Sequence, residues 1–169
     1  MSSQYTISEW FYKYNKDIYH FLVYYTGLND VEDLVQEVFI RAIKGIDVFQ
    51  GNSSPRTWLF SIARHVGIDE IRRRKRRHFF KKVTFEKEVL ISNEKTPEQL
   101  LQMSETNKLL YHAIQSLKPN YRDVVILRSI KDLSVSETAE VLGWNENKVR
   151  LIFHKALKAL DKHKEALSQ

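Results

Sequence analysis

Cysteine is absent from this 169-residue sequence, which excludes disulfides and thiolate metal sites. Glycine and proline are scarce, at five and three. Gly27, Gly51 and Gly143, with Pro55, Pro97 and Pro119, all fall between periodic segments, where helices would have to stop. Only Gly45 and Gly67 interrupt a pattern. No apolar run is long enough to span a bilayer, and residues 1–10 lack the basic stretch followed by an apolar block that marks a signal peptide. The expected protein is therefore soluble and cytoplasmic. Alternating apolar runs are missing too, which argues against strands. Acidic residues are outnumbered, 21 Asp+Glu against 27 Lys+Arg, and the formal charge of +6 suits a polyanionic partner, nucleic acid first.

What is present is spacing by three and four residues throughout. It predicts an all-α chain with helices at 7–26, 31–46, 55–76, 97–116, 119–131, 135–142 and 146–164. Residues 78–96 mix charges with scattered apolar side chains and read as a flexible linker that is disordered when free. Thr96 then offers an N-cap, Pro97 suits the first helical position, and Gln99 closes a capping box. Two small helical domains result, 1–77 and 97–169, neither with a large core.

The strongest local pattern lies in residues 134–155. Ser134 and Glu137 are spaced as a capping box, Gly143 ends the short helix, and Asn145 caps the next. Two helices joined so tightly must cross. Ala139 gives the close approach, Gly143 the turn, and Val149 the apolar anchor, with Leu142 and Ile152 completing the contact. This is helix-turn-helix spacing, a pattern that also occurs in purely structural bundles. The second helix offers Asn147, Lys148, Arg150, Leu151, His154 and Lys155 to the major groove, continued by Lys158 and Lys162.

Two further surfaces lie upstream. In the helix at 31–46, Val31, Leu34, Val35, Val38, Ala42 and Ile46 point inward, leaving Asp33, Gln36, Glu37 and Arg41 as a polar stripe. That stripe is either a solvated face with a Glu37–Arg41 ion pair or a docking surface for a protein. In the helix at 55–76, Leu59, Ile62, Ala63 and Val66 form the buried stripe. Trp58, Ser61, His65, Asp69 and Arg72 follow one another on an adjacent face, which runs into six consecutive basic residues at 72–77. Lys and Arg neutralise phosphates and aromatic faces stack on exposed bases, so this stretch suits a strand being opened. Trp58 also fits a core position. The polar loop 50–54, with Asn52 and Ser53, has the backbone and amide groups to cup a flipped-out base. His65 and Asp69 have an i, i+4 spacing but no third ligand, so no metal site is expected.

Taken together, these residues resemble the extracytoplasmic-function, or group IV, class of bacterial RNA polymerase sigma factors over nearly the whole chain. The run DLVQEVFIR at residues 33–41 resembles the region-two helix that docks on the polymerase clamp helices. The resemblance makes Asp33, Gln36, Glu37 and Arg41 the polymerase-binding stripe. TWLFSIARH at 57–65, followed by IDEIRRR at 68–74, is similar to the promoter-opening and minus-ten segment. It implies DNA contact by Asn52, Ser53, Trp58, His65, Asp69, Arg72, Arg73 and Arg76. LKPNYRDVVILR at 117–128 resembles the opening helix of region four, and residues 134–155 its minus-thirty-five reader. His65 replaces an asparagine frequent among relatives, and Leu151 and Ile152 stand where polar residues are usual.

The partners so implied are core RNA polymerase, through its clamp helices and flap, promoter DNA, and a membrane-anchored anti-sigma factor. No catalytic residue, cofactor, metal or small-molecule substrate is expected. Three rivals stay open on the residues alone. They are a dimeric helix-turn-helix repressor or activator, a small hydrolase or nuclease using His65 and Asp69, and an RNA-binding helical protein.

Overall fold

The computed structural model describes residues 3–84 and 104–167. Every regular element among them is helical. Helix α1 (Ser3–Thr26) buries Ile7, Ile18, Phe21, Leu22, Val23 and Tyr25. It stops at Gly27, whose φ of 73° lets its amide return to the Val23 carbonyl at 2.9 Å. Helix α2 (Glu32–Gly45) sets Val35, Val38, Phe39 and Ala42 against α1 and ends in a short 3-10 turn, Ile46–Val48. Of the six inward positions read from the sequence, Val31, Val35, Val38 and Ala42 are buried, while Leu34 and Ile46 are half-buried.

Helix α3 (Pro55–Thr84) starts from Ser54, whose hydroxyl accepts the Thr57 amide at 3.1 Å. It runs eight residues beyond Arg76, so residues 78–84, read as linker, are helical. Arg and Lys are good helix formers, and after Gly67 no glycine or proline breaks the turn before Thr84. The rest of the expected linker, and the capping box at Thr96 and Gln99, lie outside the described residues.

The C-terminal group begins with α4 (Glu105–Ser116), capped by Ser104, and α5 (Pro119–Val125), which continues as a π-helical turn, Ile126–Ile130. Helices α6 (Val135–Leu142) and α7 (Glu146–Leu167) follow. The Ser134–Glu137 capping box forms reciprocally, at 2.9 and 3.0 Å, and Gly143 takes the left-handed conformation at φ 69°. Asn145 Oδ1 accepts the Lys148 amide at 2.8 Å. Val149 is fully buried, with Ala139 and Leu142 nearly so. The helix-turn-helix read from spacing is therefore present with its caps.

The two groups of helices are not apart. Buried residues from Ile7 to Ala156 form one continuous apolar cluster, and α6 packs on α3. The sequence pattern shows no sign of this contact, because the residues that make it are far apart in the chain.

Candidate nucleic-acid interface

On α7, Asn147, Lys148, Arg150, Leu151, His154 and Lys155 are all exposed, Leu151 by 53%. Burial of Val149 and Ala156 turns this face outward. Two of its cations are held in place. Arg150 donates to Glu146 Oε2 at 3.2 Å and to Asn147 Oδ1 at 3.4 Å, and Lys148 Nζ sits 4.4 Å from the centre of the Trp144 ring. The guanidinium is thus presented near the helix N-terminus, where a recognition helix meets base edges. Glu146 and Trp144 escaped the sequence reading, although Glu146 stands four residues before Arg150 and an i, i+4 search finds it.

The minus-ten candidates group on the N-terminal half. Asn52, His65, Asp69, Arg72, Arg73 and Arg76 are exposed, while Ser53 and Trp58 are half-buried. Trp58 is not a free-standing platform. It packs 4.8 Å from Phe49 and 6.0 Å, edge on, from Trp10, closing an aromatic cluster over the end of α2. The basic run is a helical surface rather than a trailing tail, so its charges point around α3. Glu70, buried and missed in the sequence, binds Arg73 at 2.7 Å and Arg74 at 3.1 Å. Burial pushes its carboxyl up, but the hydrogen bonds from Arg73 and Arg74 outweigh this and hold it below the usual glutamate range. Arg72 and Arg76, four apart on one face, have no such carboxylate in the described contacts.

The stripe on α2 has Asp33 and Gln36 exposed and Glu37 and Arg41 half-buried. The Glu37–Arg41 pair forms at 3.0 Å, and Arg41 also reaches Asp69 on α3 at 3.0 Å. The stripe and the α3 face that carries the minus-ten candidates therefore meet through one guanidinium. Ile40 and Ile43, 44% and 52% exposed, extend this face at helical spacing from Gln36 and add an apolar component that the sequence reading left out. The minus-thirty-five candidates stand on the other helical group. Among the described residues, no three His, Asp or Glu side chains gather to hold a metal, and no helix is long and apolar enough to cross a membrane.

Two family descriptions divide the chain in the same way as these surfaces. Residues 10–77 match Sigma-70 region 2, and residues 107–160 match Sigma-70, region 4. The chain belongs to the sigma-70 family, in its extracytoplasmic-function class. Among similar proteins is the ECF RNA polymerase sigma factor SigX of Bacillus subtilis. It is 37% identical over 159 residues, covering 92% of this chain and 82% of the relative. The RNA polymerase sigma factor YlaC of the same organism is 33% identical over 159 residues, covering 94% and 91%. In fold, the sigma factor RpoE from Bartonella quintana, solved in complex with the anti-sigma factor NepR, superposes with a TM-score of 0.74. It shares 21% identity, over 94% of this sigma factor and 96% of that one. The likeness therefore extends over both helical groups.

Proposed function

We propose that this chain is an alternative sigma factor that joins core RNA polymerase, selects a promoter and holds it open for initiation. The single observation that carries the reading is the pairing, on one chain, of a fully capped helix-turn-helix exposing residues 147–155 with an α2–α3 surface. On that surface the polar stripe of Asp33, Gln36, Glu37 and Arg41 abuts a basic helix. Residues 1–77 serve docking, minus-ten recognition and melting, and residues 97–169 serve minus-thirty-five recognition.

In this reading Asp33, Gln36, Glu37 and Arg41, flanked by Ile40 and Ile43, engage the polymerase clamp helices. Arg150 and its neighbours read duplex bases while Lys148 and Lys155 hold phosphate. The loop carrying Asn52 and Ser53, with His65 and Asp69, receives an unpaired base, and Arg72, Arg73 and Arg76 follow the backbone. Separating stacked DNA costs roughly 0.6 to 2.2 kcal/mol per step, and a captured base returns about 1 to 3 kcal/mol, so a few captured bases hold a short bubble once it has formed. Bond formation belongs to the polymerase, and the chain supplies no catalytic group. Its regulator is proposed to be a membrane-anchored anti-sigma factor that keeps the cytoplasmic factor near the membrane until released.

Run-off transcription with core polymerase across a promoter library tests the proposal. The expected result is initiation at a subset of promoters sharing two spaced elements. Failure to direct initiation from any of them sinks it.

A further inference from the structure

Leu151 is the odd residue on the helix-turn-helix surface. Its neighbours in the chain, Ile152 and Phe153, lie partly buried against the core, and Val149 and Ala156 are fully buried. Leu151 itself is 53% exposed. Among the exposed residues Asn147, Lys148, Arg150, Leu151, His154 and Lys155 it alone is apolar. The pitch of α7 sets Asn147 and Lys148 one turn before it and His154 and Lys155 one turn after it. The leucine therefore stands in the middle of a polar, basic face rather than at its edge.

Single exposed leucines are common and need no explanation. This one differs by its position. With α7 in a major groove, the centre of its face is pressed onto base edges and water is removed from both sides. Any donor or acceptor that the leucine covers then loses its water and gains no partner, which costs binding. The major groove offers one apolar group, the C5 methyl of thymine. A leucine at the centre of the face gains from that methyl and loses on edges that present only polar atoms.

Its address follows from Arg150. That guanidinium is held by Glu146 at 3.2 Å and Asn147 at 3.4 Å, and its planar fork fits guanine O6 and N7. Consecutive Cα atoms are about 3.8 Å apart, close to the rise of about 3.4 Å between base pairs. Adjacent residues on the helix thus address the same base pair or neighbouring ones.

We infer that Leu151 is a specificity-determining residue that reads the C5 methyl of one thymine, on either strand, in the base pair read by Arg150 or in an adjacent one. The inference rests on the sigma-factor reading. It deepens that reading by naming a chemical group that the upstream reader selects.

Deoxyuridine tests this directly, since it keeps the hydrogen-bonding groups of thymine and lacks only the methyl. A promoter used by the full-length chain with core polymerase is rebuilt with deoxyuridine at one thymine of the upstream element at a time, and holoenzyme affinity is measured by competition. One position is expected to lose about fourfold, the worth of one buried methyl group. Leu151→Ala should lose a similar factor on the thymine duplex and nothing further when that methyl is removed, because both changes delete the same contact. Leu151→Met, still apolar, should keep the sensitivity. Both replacements are good helix formers at an exposed position, so the variants are expected to fold.

A flat response to every thymine, in a holoenzyme that does initiate, overturns the methyl contact and leaves the sigma-factor reading standing. So does a methyl-sensitive position that Leu151→Ala leaves unchanged, or a Leu151→Ala defect confined to polymerase binding, which sets the leucine against protein. If no promoter is used with core polymerase, duplexes enriched from a random pool by the chain alone take the promoter's place. A methyl effect that depends on Leu151 in those duplexes keeps the inference and removes the sigma-factor reading, and the absence of any enriched sequence removes both.

Discussion

Gly67 lies where α3 crosses α1, and a Cβ there would stand 2.6 Å from Tyr25 Cδ1 and 2.9 Å from Cε1. In the sequence it is only a glycine interrupting a helical pattern, and the ring it makes room for cannot be read from that pattern. Alanine would improve helix propensity by about 1 kcal/mol. The Tyr25 ring, 4% exposed, cannot swing clear, and overpacking of this kind costs about 1 to 3 kcal/mol. Gly67→Ala is therefore expected to destabilise the chain by about 1 kcal/mol, measured as a lowered urea midpoint at unchanged slope. Arg150 and Lys155 make the complementary test on the surface. Arg150→Ala should relax selection at one base position by about 1 to 3 kcal/mol, whereas Lys155→Ala should weaken all sequences alike and reduce the salt slope by about one. Binding titrations over a set of single-base promoter variants separate the two.

At the scale of elements, the short helices of the helix-turn-helix depend on their ends. Helix α6 has eight residues, too few to be stable without its caps and its packing. Ser134→Ala removes the hydroxyl that accepts the Glu137 amide, while the residue-134 backbone amide that donates to the Glu137 side chain remains. A loss of about 1 kcal/mol follows, read as a melting temperature lower by about 2 to 4 °C. These caps were legible because they are local, a serine three residues before a glutamate. The end of α3 was not. Six consecutive cations suggest a solvated tail, but Glu70 neutralises two of them from one turn below, and no breaker intervenes before Thr84. The turn after α5 was equally hidden. Its continuation as a π-helical segment, with the Lys131 amide on the Ile126 carbonyl at 2.9 Å, carries Lys131 to Asp17 on α1, 3.0 Å away.

At the scale of the whole molecule, carboxylates tie the two helical groups together, and acid should loosen them. Burial raises the Asp17 carboxyl, but hydrogen bonds from Arg56 and Lys131 prevail and hold it below the ordinary aspartate range. The Glu137 carboxyl is also held low, first by the Ser134 amide, against burial, and then by Thr57. Between the depressed and the ordinary values the unfolded chain binds more protons than the folded one, so stability rises with pH across that window and is lost as pH falls through it. Asp123 acts in the opposite sense. Burial raises its carboxyl despite Arg64, so it contributes stability as pH falls toward the ordinary range. With Asp17, Glu70 and Glu137 on one side and Asp123 on the other, the urea midpoint is expected to drop between pH 5 and pH 3, faster than in an Asp17→Asn variant.

The sequence by itself determined the helical class, the positions of the breakers, the helix-turn-helix with its caps, and the polar stripe on α2. Each of these is a relation between residues three or four apart, and the backbone geometry of a helix turns such spacing directly into a face or an end. Tertiary structure alone decided that Trp58 closes an aromatic cluster, that Arg41 joins the stripe to α3 through Asp69, and that the helix-turn-helix group lies against α1 and α3. Asp17 meets Arg56 across 39 residues and Lys131 across 114. No local period records such a pair, because only the folding of one helix against another brings those charges within reach.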